Sequence, residues 1–304
     1  MSTPPLHLLS VDDLSDVFIE RVSARADQLA DGERPDPARG AGRSVALLFL
    51  ASSLRTRFGF SAAAVDLGLT PLPLDELRWE EGMTQAESFA DTLRVVGGLT
   101  DAIVARTPFE LDRRIVAADC PVPFVNGGDG WNQHPSQALV DLCAIRRFRG
   151  EPQDLRIGIV GDLSMHVSRS LLQLLERTPP AALRLIAPSM RDEPGIERGG
   201  PLASVTERTT SWDTDGLDVV YLAGLPEGEG DHHLDASERA AYALTAERAE
   251  ALDSEAIVLC PLPRIDEITD EARDHRSVRI FEQSDLGRAV RTALLELILE
   301  PALR

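Results

Sequence analysis

Three short stretches of this sequence concentrate groups that can do chemistry on an anion or a carbonyl. The first is Ser53-Leu54-Arg55-Thr56-Arg57, where the apolar run Val45–Ala51 gives way to a helical pattern. Hydroxyls, backbone N–H groups and guanidinium groups at a helix N-terminus can surround a phosphate, with the macrodipole favouring the anion and Arg binding it bidentately. A surface cap with solvated arginines accounts for the same residues. The second stretch is Asn126-Gly127-Gly128-Asp129-Gly130-Trp131-Asn132-Gln133-His134-Pro135-Ser136-Gln137. Its glycines allow tight backbone turns, and Pro135 suits the first turn of a following helix. His134 and Gln137, three apart across that helix start, can aim donors at one carbonyl oxygen. A lone His more often caps a helix or fills a core, but the glycine-rich approach and amide neighbours favour a site. The third is Cys260-Pro261-Leu262-Pro263-Arg264-Ile265-Asp266-Glu267-Ile268, directly after an apolar run. Two prolines around one Leu make a rigid loop with exposed carbonyls, which taken alone reads as a structural turn.

The elements that must position these groups follow from alternation. The apolar runs Ser44–Ala51, Asp101–Arg106, Pro121–Asn126, Leu155–Gly161, Leu183–Ala187, Asp218–Ala223 and Ala256–Leu259 alternate with helical patterns. Such a chain predicts an α/β fold with parallel sheets, one in each half. Ser10–Leu29 reads as a helix starting at a Ser cap, Gln137–Arg149 as a helix joining the halves, and Leu286–Leu299 as a last helix that packs back on the chain. Ligands of open α/β sheets gather at the carboxyl ends of the strands, where all three stretches fall.

Composition excludes several functions. The chain has 304 residues, with 50 Asp and Glu against 31 basic residues and a net charge of -19. Every basic residue is Arg. Schiff-base chemistry on Lys and a P-loop lysine are therefore impossible, and any anion must be held by Arg, backbone N–H groups or helix N-termini. So acidic a chain is a poor binder of nucleic acid or of an anionic membrane. The longest apolar runs fall far short of the roughly 18–20 residues of a membrane span. Three scattered cysteines, Cys120, Cys143 and Cys260, suggest a reducing compartment. With no signal-peptide pattern at the N-terminus, a cytoplasmic protein is expected.

Taken together the three stretches resemble the aspartate/ornithine carbamoyltransferase family, most closely its aspartate branch. The family's S-T-R-T-R motif appears here as Ser53-Leu54-Arg55-Thr56-Arg57, with Leu54 in place of its first Thr, and its N-x-G-D-G-x-N-Q-H-P-x-Q segment is matched at every fixed position by Asn126–Gln137. Its H-P-L-P-R-x-D-E-I segment is matched except that Cys260 replaces His. The resemblance implies two doubly wound parallel-sheet domains. Residues 1–136, with a C-terminal helix 287–304 packing back, would bind carbamoyl phosphate, and 137–286 would bind the amino acceptor. It implies a homotrimer with active sites between subunits, and no metal or other cofactor. It gives Ser53, Leu54 through its N–H, Arg55, Thr56 and Arg106 to the phosphate. It gives Thr56, Arg106, His134 and Gln137 to the carbamoyl oxygen, and the carbonyl of Leu262 to the incoming amine.

Departures from the family cluster on the acceptor side. Gln85 falls near the position of a mobile-loop lysine, where it can still hydrogen-bond phosphate. His166 falls near the second domain's arginine, and Gly224 stands where an acceptor-loop Arg is usual. Glu80, Glu81, Glu227, Glu229 and Asp231 add acids. Trp79, Glu80, His166, Glu227, Cys260, Pro261 and Leu262 are the candidate acceptor contacts, with Trp79 either a buried anchor or a lid. Losing cations and gaining acids should disfavour a dicarboxylate. The expected acceptor is therefore not aspartate but a cationic or bulkier amine, such as a diamino acid, a guanidino compound or a peptide amine. The alternatives are a divergent aspartate enzyme and a non-catalytic trimeric relative that binds a phosphate ligand. His232-His233 reads as part of an acidic loop rather than a metal site.

Overall fold

Each of the seven apolar runs forms a strand of one of two parallel sheets, and the computed structural model describes residues 6–74, 87–188, 200–225 and 235–300. The chain divides into two units, Met1–Val140 with Leu286–Arg304, and Asp141–Asp285.

The first unit runs β1 (His7–Leu8), α1 (Asp16–Ala30), β2 (Ser44–Phe49), α2 (Leu54–Asp66), β3 (Thr70–Leu74), α3 (Phe89–Gly97), β4 (Ala102–Thr107), α4 (Arg113–Asp119), β5 (Phe124–Asp129) and the start of α5 (Pro135–Arg149). Its sheet has the order β1-β5-β4-β2-β3, every pair parallel. Val45–Phe49 and Ala102–Ala105 are buried without alternation, as expected of strands covered on both faces. Ala46, Leu48, Leu93, Ile103, Ala105, Val116 and Phe124 pack into one core. The chain returns to this unit at its end, where Arg288 pairs with Asp66 (Nε to Oδ2, 2.7 Å) and Arg25 with Glu296 (2.8 Å).

Beyond the short edge strands β1 and β8, two features differ from the sequence reading. The expected helix from Ser10 is broken. Ser10 is the N-cap of a single 3-10 turn, Val11–Asp13, and α1 begins after its own N-cap, Ser15, whose hydroxyl accepts from the Phe18 N–H. The other difference is β3, Thr-Pro-Leu-Pro-Leu, which the prolines hid. Thr70 N–H donates to Arg43 O, so Pro71 and Pro73 fall on the strand's other edge, where no neighbour needs their missing N–H.

The second unit runs from the rest of α5 through β6 (Arg156–Gly161), α6 (His166–Arg177), β7 (Ala182–Ile186), β8 (Thr206–Thr209), β9 (Val219–Gly224), α7 (Ala236–Ala240), α8 (Ala246–Glu250), β10 (Ile257–Leu259) and into α9 (Ile280–Leu299). Its parallel sheet has the order β10-β9-β6-β7-β8. Val160, Ile186, Val220, Leu222, Leu244, Val258 and Ile268 form its core. Among the described residues no helix is long and apolar enough to cross a membrane.

In each sheet the winding reverses beside the first long strand, between β2 and β4 in one unit and between β6 and β9 in the other. Reversal opens a crevice at the carboxyl ends of the flanking strands. In the second unit that crevice has a tight base. Gly161 has φ +116°, and a Cβ there would lie 2.4 Å from Gly224 O. Gly150 has a similar φ of +106° with nothing within 4 Å. Gly150→Ala should therefore cost only backbone strain, about 1–3 kcal/mol. Gly161→Ala should cost that plus roughly 1–3 kcal/mol of overpacking. Thermal unfolding of the two variants checks this; equal losses would mean that the close approach to Gly224 is unimportant.

Candidate active site

At the end of β2 the chain turns into α2. Ser53 takes the extended N-cap conformation (φ -161°, ψ 106°), yet its hydroxyl makes no capping bond. The first-turn N–H groups of α2 have no intrahelical acceptor and point out of the helix. Strand β4 delivers Arg106 beside them. The N–H groups of Leu50 and Ala51 both donate to Arg106 O (2.9 and 3.3 Å), so one backbone anchor sets the turn and the arginine together. Arg106 Nη1 donates to Gly127 O at 3.2 Å, while its buried Nε has no hydrogen-bond partner among the described residues. Burial and then the nearby Arg55 charge lower the Arg106 pKa. Two guanidinium groups held together beside a helix N-terminus make a receptor for a multiply charged anion.

Next to this cradle lies a cluster of donors for a carbonyl oxygen. Thr56 and His134, each 3% exposed, meet at 3.4 Å between Oγ1 and Nε2. Ser136 Oγ holds the other ring nitrogen, Nδ1, at 3.3 Å. The glycines of β5 form the floor under them. A Cβ on Gly128, whose φ is +113°, would lie 2.5 Å from Arg106 Nη1 and 3.3 Å from His134 Cδ2. A Cβ on Gly127 would lie 3.3 Å from Thr56 Cγ2. Arg106, Thr56 and His134 thus converge on two α-carbons, and side chains there would push them apart.

Asp129 holds the floor in place. Its carboxylate, 1% exposed, accepts from Leu111 N (2.9 Å), Gln133 N (2.8 Å), Asn126 Nδ2 (2.9 Å) and Asn132 Nδ2 (3.0 Å). Asn126 Nδ2 also donates to Leu9 O, and Asn126 Oδ1 accepts from Gly128 N, both at 2.8 Å. The fixed Asn and Asp of the second motif therefore tie the glycine turn to the chain on either side. Sequence reading marked the motif but not this role, because Leu9 and Leu111 are remote in the chain. It also passed over Arg291, 3% exposed, whose Nη2 lies 3.5 Å from Gln137 Oε1. Cβ atoms on Gly59 and Gly287 would approach Arg291 Nη1 to 2.8 and 2.4 Å, so both glycines make room for it. Nothing local in the sequence signals that arrangement.

In the second unit His166 opens α6, after a turn in which Ser164 N and Oγ both donate to Asp162 Oδ1 (2.7 and 2.6 Å). Cys260, Pro261 and Leu262 follow β10. Cys260 N donates to Gln283 Oε1 (2.9 Å), and Gln283 Nε2 donates to Asp141 Oδ1 (2.7 Å). The other Asp141 oxygen accepts from Tyr221 Oη at 2.9 Å. Burial and the Asp141 charge push the Tyr221 hydroxyl well above its ordinary value, so it remains a donor. Trp79, Glu80, Gln85 and Glu227 lie outside the described residues. The structure therefore places Ser53–Thr56, Arg106, His134 and Gln137 in one unit, and His166 and Cys260–Leu262 in the other.

Residues 6–147 match the family model of the aspartate/ornithine carbamoyltransferase carbamoyl-P binding domain, and residues 153–298 match that of the Asp/Orn binding domain. The aspartate carbamoyltransferase catalytic subunit of Halorubrum lacusprofundi is 36% identical, over 97% of this chain and 96% of its own. That of Methanosphaerula palustris is 35% identical, over 96% and 98%. Among solved structures, the catalytic subunit of M. Jannaschii aspartate transcarbamoylase superimposes with a TM-score of 0.82 at 29% identity, covering 97% of this chain and 98% of that one. Aspartate transcarbamoylase from Trypanosoma cruzi in complex with carbamoyl phosphate gives 0.83 at 25%, covering 96% and 95%. These relatives overturn the expectation of a non-aspartate acceptor. That expectation rested on the cations missing at Gln85, His166 and Gly224 and on the acids Glu80, Glu81, Glu227, Glu229 and Asp231, which all lie outside the described residues, in a chain with 50 acids spread along it. Charge counted along two loops is not the field at a binding site. Matched over both of its units, the chain belongs to the aspartate/ornithine carbamoyltransferase family.

Proposed function

We propose that this chain transfers the carbamoyl group of carbamoyl phosphate to the α-amino group of aspartate and releases phosphate. The observation that carries the reaction class is Arg106. It lies over Gly128 beside His134, feels the charge of Arg55 and has a buried Nε with no hydrogen-bond partner among the described residues. The aspartate acceptor rests on the relatives at 35–36% identity, each named an aspartate carbamoyltransferase catalytic subunit.

In this reading Ser53, the Leu54 N–H, Arg55, Thr56 and Arg106 bind the phosphate, with Gln85 as a further donor. Arg106, Thr56, His134 and Gln137 donate to the carbamoyl oxygen. The neutral amine attacks the carbamoyl carbon, a C–N bond forms, and negative charge builds on that oxygen. Donors already fixed by the glycine floor stabilise this charge without reorganising. The C–O bond to phosphate then breaks, and the departing phosphate takes the amine's proton. The Leu262 carbonyl accepts an N–H of the amine, and His166 at the start of α6 is suited to a carboxylate of aspartate. The working unit is a homotrimer with active sites between subunits. A reducing cytoplasm suits the three free, buried cysteines.

Two outcomes are expected. Purified protein with carbamoyl phosphate should form N-carbamoylaspartate from aspartate and not citrulline from ornithine, as read by mass spectrometry; turnover of ornithine alone would contradict the acceptor. His134→Ala, which removes one donor to the oxyanion, should lower kcat by about 10²–10³-fold. Arg106→Ala should lower kcat/KM further, since it removes contacts to both phosphate and oxygen. Steady-state rates of correctly folded variants within twofold of the unsubstituted protein would contradict the site.

A further inference from the structure

The loop after β10 contains the one non-glycine residue with positive φ among the described residues, Leu262 at +58°. A bulky side chain in the left-handed region is strained by roughly 1–2 kcal/mol and persists only when its surroundings hold it there. Two fixed points flank it. Upstream, Cys260 is 2% exposed and anchored by its N–H to Gln283. Downstream, Glu267 is 7% exposed, and its carbonyl accepts the Leu244 N–H at 2.9 Å.

Between these points runs a bridge of side-chain bonds. Leu262 N donates to Cys260 Sγ at 3.4 Å. The thiol in turn donates to Glu267 Oε1 at 3.4 Å. Glu267 Oε2 takes the N–H groups of Ile265 and Asp266, each at 3.1 Å. Arg264 reinforces the loop from outside, donating to Ile268 O (2.8 Å) and pairing with Asp270 (2.7 Å). The Leu262 side chain packs against the core of the unit. Backbone and side chain of Leu262 are thus both held, and its carbonyl direction is set.

We propose that Cys260 and Glu267 are positioning residues that hold the strained Leu262 peptide, and through its carbonyl set the place of the acceptor amine. This rests on the reading in which the Leu262 carbonyl receives that amine. The sulfur suits the task because its bonds and hydrogen bonds are longer than those of oxygen. A serine hydroxyl, which needs about 2.5–3.2 Å to its partners, would reach one partner and lose the other. The bridge places the selectivity for the acceptor's reacting nitrogen in a backbone carbonyl, which acts without a cationic side chain.

The test is steady-state kinetics of the full-length protein with carbamoyl phosphate and aspartate, alongside calorimetric titration with carbamoyl phosphate alone. Cys260→Ala and Glu267→Gln should each lower kcat/KM for aspartate by about 10–100-fold, because a small misplacement of the nucleophile costs that much. The Kd for carbamoyl phosphate should stay within twofold, and Cys260→Ser should recover part of the loss. Cys143→Ala, which removes another buried thiol of the same unit, should leave aspartate kinetics unchanged. If Cys260→Ala and Glu267→Gln both keep normal aspartate kinetics, or lose carbamoyl-phosphate binding in parallel, the positioning role is overturned. If the unsubstituted protein forms no N-carbamoylaspartate, the functional reading falls, and this role falls with it.

Discussion

A buried carboxylate with four hydrogen-bond donors around it is the constraint on which the first unit's site depends. Burying an ionised Asp129 without partners would cost several kcal/mol. Donors from Leu111, Asn126, Asn132 and Gln133 offset that cost and in doing so fix the turn after β5. Gly127 and Gly128 then lie where Thr56, Arg106 and His134 can approach them. The positions of Thr56, Arg106 and His134 are thus set by groups that, in the proposed reading, do not touch the substrate. Preorganised donors are effective because they need not move when charge develops.

The two units apply one architecture to different ends. In each, parallel strands reverse their order and leave a crevice at their carboxyl ends. The first unit lines its crevice with cations and a helix N-terminus, which suits an anion. The second closes the base of its own with a backbone approach, Gly161 against Gly224, and carries a proline-flanked loop at the carboxyl end of β10. In the proposed reading, charge recognition and amine placement are carried by different chemistry, arginine in one and a backbone carbonyl in the other.

Much of the fold was legible because buried parallel strands read as apolar runs, and β2, β4, β5, β6, β7, β9 and β10 all did. The strands that escaped lie at sheet edges: β1 has two residues, β3 alternates prolines and β8 reads Thr-Glu-Arg-Thr. Edge strands have one neighbour and need neither continuous burial nor every N–H. The phosphate motif and the glycine-rich motif were legible because their residues are adjacent in sequence. Leu111 as a partner of Asp129 and Arg291 beside Gln137 were not, since each depends on a contact closed by the fold. The acceptor was misread for a related reason: acids near a site in sequence do not define its potential.

The central claim is that the Asp129 carboxylate preorganises a site it does not touch. Asp129→Asn keeps the shape but turns one acceptor oxygen into a donor, so two of the four donors would face an N–H group. Calorimetric titration of the folded Asp129→Asn protein with carbamoyl phosphate tests the claim most directly. The account predicts at least a tenfold loss of affinity, about 1.4 kcal/mol, although every proposed ligand contact is still present. An unchanged Kd would contradict it.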